Sequence, residues 1–302
     1  MLARLAILFD SIKIAHSVFA LPFALVAMLV AAGEWPSLQA FALIVLCMVS
    51  GRSAAMAFNR WADRRFDAEN PRTQARPTVT GAVSPGFLLA FIAVCSAIFV
   101  AGAWFLNPLC AALALPVLAI LLGYSYAKRF TSLCHFWLGV SLGLAPLGAH
   151  LAIRGDLAPL DGLGAAWGLP FELFPILLGL GVLCWVAGFD LIYACQDYEH
   201  DRGDARLHSL PKRIGIAAAL KLSSALHVLA MALLIAVGVY AGMGGWYYGA
   251  LTIVAGLLIY EHAIVKPDDL SRVNVAFFTL NGAVSLVLFA AVLVERVLLS
   301  GS

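Results

Sequence analysis

The sequence predicts an all-α, polytopic membrane protein, a bundle of about nine transmembrane helices that forms one domain over residues 1–302. Of the 302 residues, 63% are hydrophobic and only 12% are charged, whereas soluble domains carry about 25% charged residues. Mean hydropathy is +0.94. One water-soluble core cannot enclose so many apolar side chains. The lipid bilayer is therefore the expected partner, and no nucleic-acid partner is expected.

Nine apolar runs are long enough to cross a bilayer, since a spanning helix needs roughly 20 mainly apolar residues. The predicted spans lie near 14–33, 38–58, 86–105, 108–127, 133–153, 172–193, 214–241, 246–265 and 273–295. The first run exceeds the ~7–15 residues of a signal-peptide core, so we predict that it is retained. Very short connections, which imply antiparallel neighbours, lie at 34–37, 107–108 and 242–245. Longer polar connections lie at 59–85, 154–171 and 194–213.

Charge placement predicts the orientation of these spans, because cytoplasmic connections carry the excess of Lys and Arg in membrane proteins. With the N-terminus in the cytoplasm, all but two of the 19 Lys and Arg residues lie on the cytoplasmic side, and only Arg154 and Arg296 lie outside. We therefore predict a multi-pass protein of the bacterial inner (cytoplasmic) membrane. Its N-terminus lies inside and its C-terminus outside.

Two acidic stretches each end an apolar run on the predicted cytoplasmic side. After the second span, oxygen side chains at i, i+4 and i+8 share one helix face; these are Asn59, Asp63 and Asp67. After the sixth span, carboxylates at i, i+7 and i+11 share one stripe if the helix continues; these are Asp190, Asp197 and Asp201. Such carboxylates repel each other unless a cation lies among them.

The two acidic stretches together indicate a magnesium-bridged diphosphate site. Mg²⁺ is usually bound by one or two carboxylates together with phosphate oxygens and retained waters. The alternative, solvated loop charges, would not require two carboxylate stretches at helical spacing on one side of the membrane. The candidate catalytic residues are Asp63, Asp67, Asp190, Asp197 and Asp201.

Basic and polar side chains near these stretches are candidates for binding the substrates. Arg or Lys can bind a leaving diphosphate and stabilise its charge, and charges inside a span are costly and tend to be functional. The candidates are Asn59, Arg72, Lys128, Arg129, Tyr193, Gln196, Arg52 and Lys13. The alternatives are positive-inside anchoring for the loop residues and snorkelling for Lys13. We interpret the singly scattered His135, His150, His227 and His262 as structural or interfacial.

At these residues the chain resembles the UbiA family of membrane aromatic prenyltransferases, in particular the 4-hydroxybenzoate polyprenyltransferase type. That family has an NDxxDxxxD-like motif after the second span and a DxxxD-type motif after the sixth. The corresponding stretches here are Asn59-Arg-Trp-Ala-Asp63-Arg-Arg-Phe-Asp67 and Asp190-Leu-Ile-Tyr-Ala-Cys-Gln-Asp197-Tyr-Glu-His-Asp201. The segments 124–131 and 209–215 are also similar to the family. Arg60 departs from the pattern, because many members carry Asp there, which leaves three ligands in the first motif.

The resemblance implies a UbiA-like fold and Mg²⁺-dependent prenyl transfer from a polyprenyl diphosphate to a hydroxylated aromatic acceptor. It implies that Mg²⁺ is held by Asn59, Asp63, Asp67, Asp190, Asp197 and Asp201. The diphosphate leaves an allylic cation, which the aromatic ring attacks before it loses a proton. The expected acceptor is 4-hydroxybenzoate, as in ubiquinone biosynthesis. The first span is also similar to members that prenylate a dihydroxynaphthoate in menaquinone biosynthesis, so both acceptors stay open.

Other functions predict different patterns. A transporter would carry its charges near the membrane midplane on broken helices, whereas the acidic residues here cluster at one face. A CDP-alcohol phosphotransferase would carry a DGxxAR-type stretch, which the sequence lacks. Within the family, haem O synthase, chlorophyll synthase and archaeal lipid prenyltransferases remain alternatives.

Overall fold

The computed structural model describes residue 7 and residues 19–158 and 168–298, and for residues 297 and 298 only the backbone. Within these ranges the chain is helical and has no named β-strand; a single isolated bridge joins Lys266 and Asp269. The helices are α1 (Leu21–Ala32), α2 (Leu38–Ala62), α3 (Arg64–Glu69), α4 (Pro85–Leu106), α5 (Pro108–Ala127), α6 (Cys134–Arg154), α7 (Phe174–Ala194), α8 (Tyr198–Gly203), α9 (Leu210–Ile214), α10 (Ile216–Tyr240), α11 (Gly245–Ile264) and α12 (Asn281–Leu293). A 3₁₀ turn, Cys195–Asp197, joins α7 to α8, and π-helical segments flank α12 at Val275–Leu280 and Val294–Leu298.

Eight helical stretches of the described chain are long and apolar enough to cross a membrane. Seven of them coincide, within a few residues, with predicted spans. The stretch Phe174–Gly203 corresponds to the predicted span 172–193 and continues ten residues beyond it. The first predicted span, 14–33, corresponds to α1, which has 12 residues. Residues 14–18 of that predicted span lie outside the described ranges. The prediction of an all-α membrane bundle with about nine spans is confirmed.

Local sequence signals fix where several spans begin. Helix α4 starts at Pro85 directly after Ser84, whose hydroxyl accepts a hydrogen bond from the Phe87 N–H. Helix α5 starts at Pro108 directly after Asn107, whose side-chain oxygen accepts from the Cys110 N–H at 2.9 Å. Proline suits the first helical turn, since its missing N–H would have no partner there. A polar cap satisfies one of the remaining donors.

Helix α7 lies at the centre of the bundle and carries the start of the second acidic stretch. It approaches α6 backbone to backbone, because a Cβ on Gly143 would lie 2.5 Å from the carbonyl oxygen of Gly179. On another side it packs against α10, where the Ser223 hydroxyl donates to the Gly188 carbonyl at 2.7 Å. Small residues allow such close contact between transmembrane helices. The position of Asp190, on α7, is thereby fixed relative to α6 and α10.

Candidate active site

The first acidic stretch keeps its helical spacing across a short break. Asn59 lies in the last turn of α2, Asp63 caps that helix, and Asp67 lies in α3. Backbone bonds from Asp63 N to Asn59 O (2.9 Å) and from Asp67 N to Asp63 O (2.8 Å) continue the i to i−4 pattern. The Asn59 side-chain amide donates to Asp63 Oδ2 at 2.9 Å. The predicted shared face is therefore present.

The second stretch differs from the single continuous α-helix that was predicted. Asp190 lies in α7, Asp197 ends the 3₁₀ turn, and Asp201 lies in α8 with no exposed surface. The tighter turn changes the angle between successive side chains. The spacing of i, i+7 and i+11 therefore does not describe one stripe of one α-helix.

Every one of the five motif aspartates contacts a basic side chain from another part of the chain. The pairs are Asp63–Arg129 (3.2 Å), Asp67–Arg76 (2.6 Å), Asp190–His135 (2.7 Å), Asp197–Arg72 (2.6 Å) and Asp201–Lys128 (2.8 Å). These contacts compensate carboxylates that would otherwise repel one another. They also bring three predicted diphosphate-binding residues, Arg72, Lys128 and Arg129, to the carboxylates.

Arg72 connects the loop that follows the first acidic stretch to the second acidic stretch. Its Nε and Nη2 donate to the two oxygens of Asp197 at 2.8 and 2.6 Å, and its Nη1 donates to the Tyr193 hydroxyl at 3.1 Å. Burial alone would lower the pKa of Arg72, but the bidentate bond to Asp197 raises it above its usual value. Asn70, which was not among the predicted site residues, donates to Asp197 Oδ1 at 3.1 Å.

At the end of α5, Lys128 contacts the second acidic stretch and Arg129 contacts the first. Lys128 Nζ donates to Asp201 Oδ1 at 2.8 Å, and the Ser209 hydroxyl donates to Asp201 Oδ2 at 3.0 Å. Burial lowers the pKa of Lys128, but the neighbouring Asp201 outweighs it and raises that pKa overall. Arg129 donates to Asp63 and, at 2.7 Å, to the Ala62 carbonyl. Burial nevertheless raises the pKa of Asp63 above its usual value.

The remaining predicted residues take different positions. Gln196 donates to the Tyr193 carbonyl at 3.3 Å, a bond within its own turn. Arg60 is buried and reaches the Asn59 side-chain oxygen with Nη1 at 3.4 Å, so this departure from the family pattern lies beside a predicted ligand. Lys13 lies outside the described residues.

An apolar cavity of about 370 Å³ lies between α1, α2, α4, α5 and α6. Its lining includes Asn59, so it ends at the first residue of the first acidic stretch. Arg52, two helical turns from Asn59, also lines it. The buried Arg52 Nε has no hydrogen-bond partner, and no carboxylate of the described chain pairs with this guanidinium. An anionic group that entered the cavity would find a donor there.

The oxygen donors at the acidic stretches suit Mg²⁺, which prefers oxygen ligands. Asp67 Oδ2 is buried and has no hydrogen-bond partner, as would suit an oxygen that binds a cation. In the part of the chain that the structure describes, no three His, Cys, Asp or Glu side chains are arranged to hold one ion by themselves. Such a site fits an ion that takes one or two carboxylates and obtains its other ligands from phosphate and water.

His135, for which the sequence predicts a structural or interfacial role, contacts one of the predicted site residues. Its side chain is almost fully buried at the start of α6 and contacts Asp190, 55 residues away in the chain. Its position shortly after Lys128 and Arg129 was the only available signal. A contact over this sequence distance follows from helix packing, not from local spacing.

Comparison with known proteins agrees with the fold and the motifs. The model of the UbiA prenyltransferase family matches residues 20–283. A 4-hydroxybenzoate octaprenyltransferase from Aromatoleum aromaticum is 31% identical over 274 residues, which are 90% of this chain and 86% of that protein. One from Nitrosomonas eutropha is 29% identical over 273 residues, 89% of this chain and 88% of that protein.

Two solved structures are similar over nearly the whole chain. A UbiA homologue from Aeropyrum pernix K1 has a TM-score of 0.81 at 37% sequence identity and covers 93% of this chain and 98% of its own. A UbiA homologue from Archaeoglobus fulgidus bound to GPP and Mg²⁺ has a TM-score of 0.68 and covers 96% of this chain and 99% of its own. At 19% identity the second likeness concerns the fold alone.

Proposed function

Since the chain belongs to the UbiA prenyltransferase family and is an integral membrane prenyltransferase, we propose that it transfers a polyprenyl group from a polyprenyl diphosphate to 4-hydroxybenzoate. The observation that carries this proposal is the apolar cavity that ends at Asn59. A long apolar tail and a charged diphosphate need adjoining apolar and charged environments, and the cavity and the two acidic stretches supply them. Relatives named 4-hydroxybenzoate octaprenyltransferase support the choice of acceptor.

The two acidic stretches bind the diphosphate through Mg²⁺. Asn59, Asp63 and Asp67 would hold the metal from one stretch, and Asp197 and Asp201 would hold it from the other. Asp190, which the resemblance also implies as a ligand, is assigned to the acceptor instead. Mg²⁺ held by these residues would supply positive charge to the leaving diphosphate. Arg72, Lys128 and Arg129, which neighbour these carboxylates, donate hydrogen bonds to diphosphate oxygens.

The reaction breaks the bond between the first prenyl carbon and the diphosphate oxygen and forms a carbon–carbon bond to the aromatic ring. The apolar cavity holds the tail and excludes water that would capture the allylic cation. The ring then loses the proton from the carbon that was attacked, and the released diphosphate accepts it.

Arg52 binds the carboxylate of the acceptor. Its guanidinium lines the apolar cavity and has no carboxylate partner among the residues that the structure describes, and a charge inside a span requires compensation. A benzoate supplies that charge and orients the ring. Asp190 lies in α7, seven residues before Asp197 in the chain, as Arg52 lies seven residues before Asn59 in α2. The Asp190 carboxylate at this position can accept a hydrogen bond from the hydroxyl group of the aromatic substrate.

A reconstituted assay tests this function. The purified protein in vesicles receives Mg²⁺, a long-chain polyprenyl diphosphate and either 4-hydroxybenzoate or a dihydroxynaphthoate. We expect prenylated 4-hydroxybenzoate, and no product after chelation of Mg²⁺. Product with the dihydroxynaphthoate alone would assign the other acceptor. Magnesium-dependent binding of the diphosphate without either product would refute both acceptors.

A further inference from the structure

Asp190 has a different kind of partner from the other four motif aspartates. Those four pair with Arg or Lys, whereas Asp190 Oδ2 contacts Nδ1 of His135 at 2.7 Å. The side chains are only 14% and 4% exposed, respectively. The other oxygen of Asp190, Oδ1, receives no hydrogen bond from any residue that the structure describes. One oxygen is thus held by the protein and one is free to face a ligand.

The hydrogen bonds around His135 define which ring nitrogen carries the proton. The Leu210 backbone N–H points at His135 Nε2 at 3.4 Å. Because a backbone N–H can only donate, Nε2 acts as the acceptor. Nδ1 then carries the hydrogen that the ring donates to Asp190. The imidazole is therefore held on both sides in one orientation.

The segment that holds His135 also holds the diphosphate side of the site. The Ser209 hydroxyl donates to Asp201 Oδ2, and the next residue, Leu210, donates to His135. Directly before them, the His208 N–H donates to the Lys128 carbonyl at 2.7 Å. Residues 208–210 thus fix Asp201 and His135 relative to each other. Through His135, the orientation of Asp190 follows that of Asp201.

The depth of Asp190 places it away from the metal ligands and toward the acceptor. Arg52 lies seven residues before Asn59 in α2, a rise of roughly 10 Å. Asp190 lies in α7, about one turn before the 3₁₀ turn that ends at Asp197. Asp190 and Arg52, which lie further into the bundle than the metal-binding residues, carry opposite charges. They match an acceptor that has a carboxylate at one end and a hydroxyl at the other.

We propose that His135 is a positioning residue that aims Asp190 at the hydroxyl of the aromatic acceptor and ties it, through Leu210, to the diphosphate side of the site. This inference rests on the proposed function. Without the Nδ1 donor, Asp190 loses its orienting bond, and a displacement of about 1 Å from the productive geometry can cost roughly 10²-fold in rate. None of the five residues to which the proposed function assigns Mg²⁺, namely Asn59, Asp63, Asp67, Asp197 and Asp201, contacts His135, so binding of the diphosphate should stay intact.

Two substitutions separate the hydrogen bond from the volume of the ring. His135→Phe keeps a ring and removes the donor, whereas the Asn in His135→Asn can place an amide N–H near the position of Nδ1. The matched control is His150→Asn, the same change on the same helix α6, at a buried histidine outside the site. Prenyl transfer is measured with each substrate varied in turn, together with magnesium-dependent binding of the diphosphate.

We expect His135→Phe to lower kcat/KM for 4-hydroxybenzoate about 10²-fold, with the KM for the diphosphate within about twofold of wild type. His135→Asn should recover most of the loss, and His150→Asn should leave both constants unchanged. Full activity in His135→Phe, or equal losses in His135→Phe and His135→Asn, would overturn the proposal.

A spectroscopic measurement separates a failure of this inference from a failure of the proposed function. Nitrogen NMR of ¹⁵N-histidine-labelled protein, with His135→Asn used to assign the signal, reports the tautomer of His135. We expect a hydrogen-bonded Nδ1–H that changes in Asp190→Leu. If the wild type prenylates neither acceptor, the proposed function fails. If Nδ1 of His135 carries no hydrogen, the proposed donation from Nδ1 to Asp190 is refuted, whatever the activity.

Discussion

At the scale of single residues, the site depends on carboxylates that are held close together by basic partners. Asp197 accepts hydrogen bonds from both Arg72 and Asn70, and Asp63 accepts from Asn59 and Arg129. The side chains that donate hydrogen bonds to these carboxylates can therefore donate to phosphate oxygens instead. The same arginines and lysine serve the aspartates and, in our proposal, the diphosphate.

Removing one of these charges should stop prenyl transfer without unfolding the protein. Asp63→Asn and Asp197→Asn keep the size of the side chain but remove the charge that Mg²⁺ requires. We expect transfer rates to fall by about 10²-fold or more, with an unchanged elution profile in detergent. Asp268→Asn, at an exposed aspartate in the connection before α12, is the control and should be fully active. Full activity of either site variant with Mg²⁺ present would contradict the metal bridge.

Arg52 should determine the preference for a carboxylated acceptor. A hydrogen bond to a charged group contributes about 1.5–3 kcal/mol, so Arg52→Gln should raise the KM for 4-hydroxybenzoate roughly 10- to 100-fold. The neutral analogue 4-hydroxybenzamide should be affected much less, because it never formed the ion pair. Arg154→Gln, an exposed arginine at the far end of α6, serves as the control. Equal losses with both acceptors would show that Arg52 does not bind the carboxylate.

At the scale of helices, the position of α7 depends on a glycine contact with α6. A Cβ on Gly143 would lie 2.5 Å from the Gly179 carbonyl oxygen, and one on Gly179 would lie 2.7 Å from the Gly143 carbonyl oxygen. Backbone atoms cannot move aside as a flexible side chain can. The helices must separate if either glycine gains a methyl group.

Gly143→Ala should therefore destabilise the bundle by about 1–3 kcal/mol, the range for an overpacked core. The control is Gly148→Ala, five residues further along the same helix, where an added Cβ meets nothing within 4 Å. That variant should be at least as stable as wild type, since Ala is a better helix former than Gly. Unfolding by denaturant in detergent micelles compares the two. Identical midpoints for both variants would rule out the close contact.

How much of the structure the sequence predicts depends on the range of the interaction. The spans follow from apolar runs whose length the bilayer sets, and helices such as α4 and α5 begin where Ser84-Pro85 and Asn107-Pro108 predict. The 3₁₀ turn at Cys195–Asp197 carried no recognisable local signal. Contacts such as Asn70–Asp197 join residues 127 positions apart. They depend on how glycine-rich helix faces pack, which residue spacing does not encode.

At the scale of the whole molecule, the two halves supply different parts of the site. The N-terminal half, from α1 to α6, encloses the apolar cavity. The C-terminal half is filled by aromatic rings around α7, such as Trp185 and Phe189, whose centroids are 5.0 Å apart. Arg72, Asn70 and Lys128 reach across from the first half to the second acidic stretch. The charged groups meet at one end of the bundle, where both acidic stretches lie.

This end of the bundle should face the cytoplasm. All but two of the 19 Lys and Arg residues lie on that side when the N-terminus is inside, and such a bias sets the orientation of membrane proteins. A cysteine is introduced either at Ala68, exposed in α3, or at Ala158, exposed in the opposite connection. A membrane-impermeant maleimide added to intact cells should label Ala158→Cys, and should label Ala68→Cys only after permeabilisation. The parent chain, whose six native cysteines lie buried or partly buried, gives the background. Labelling of Ala68→Cys in intact cells would invert the topology and would place the diphosphate site on the outer face, where a cytoplasmic pool of prenyl diphosphate could not reach it.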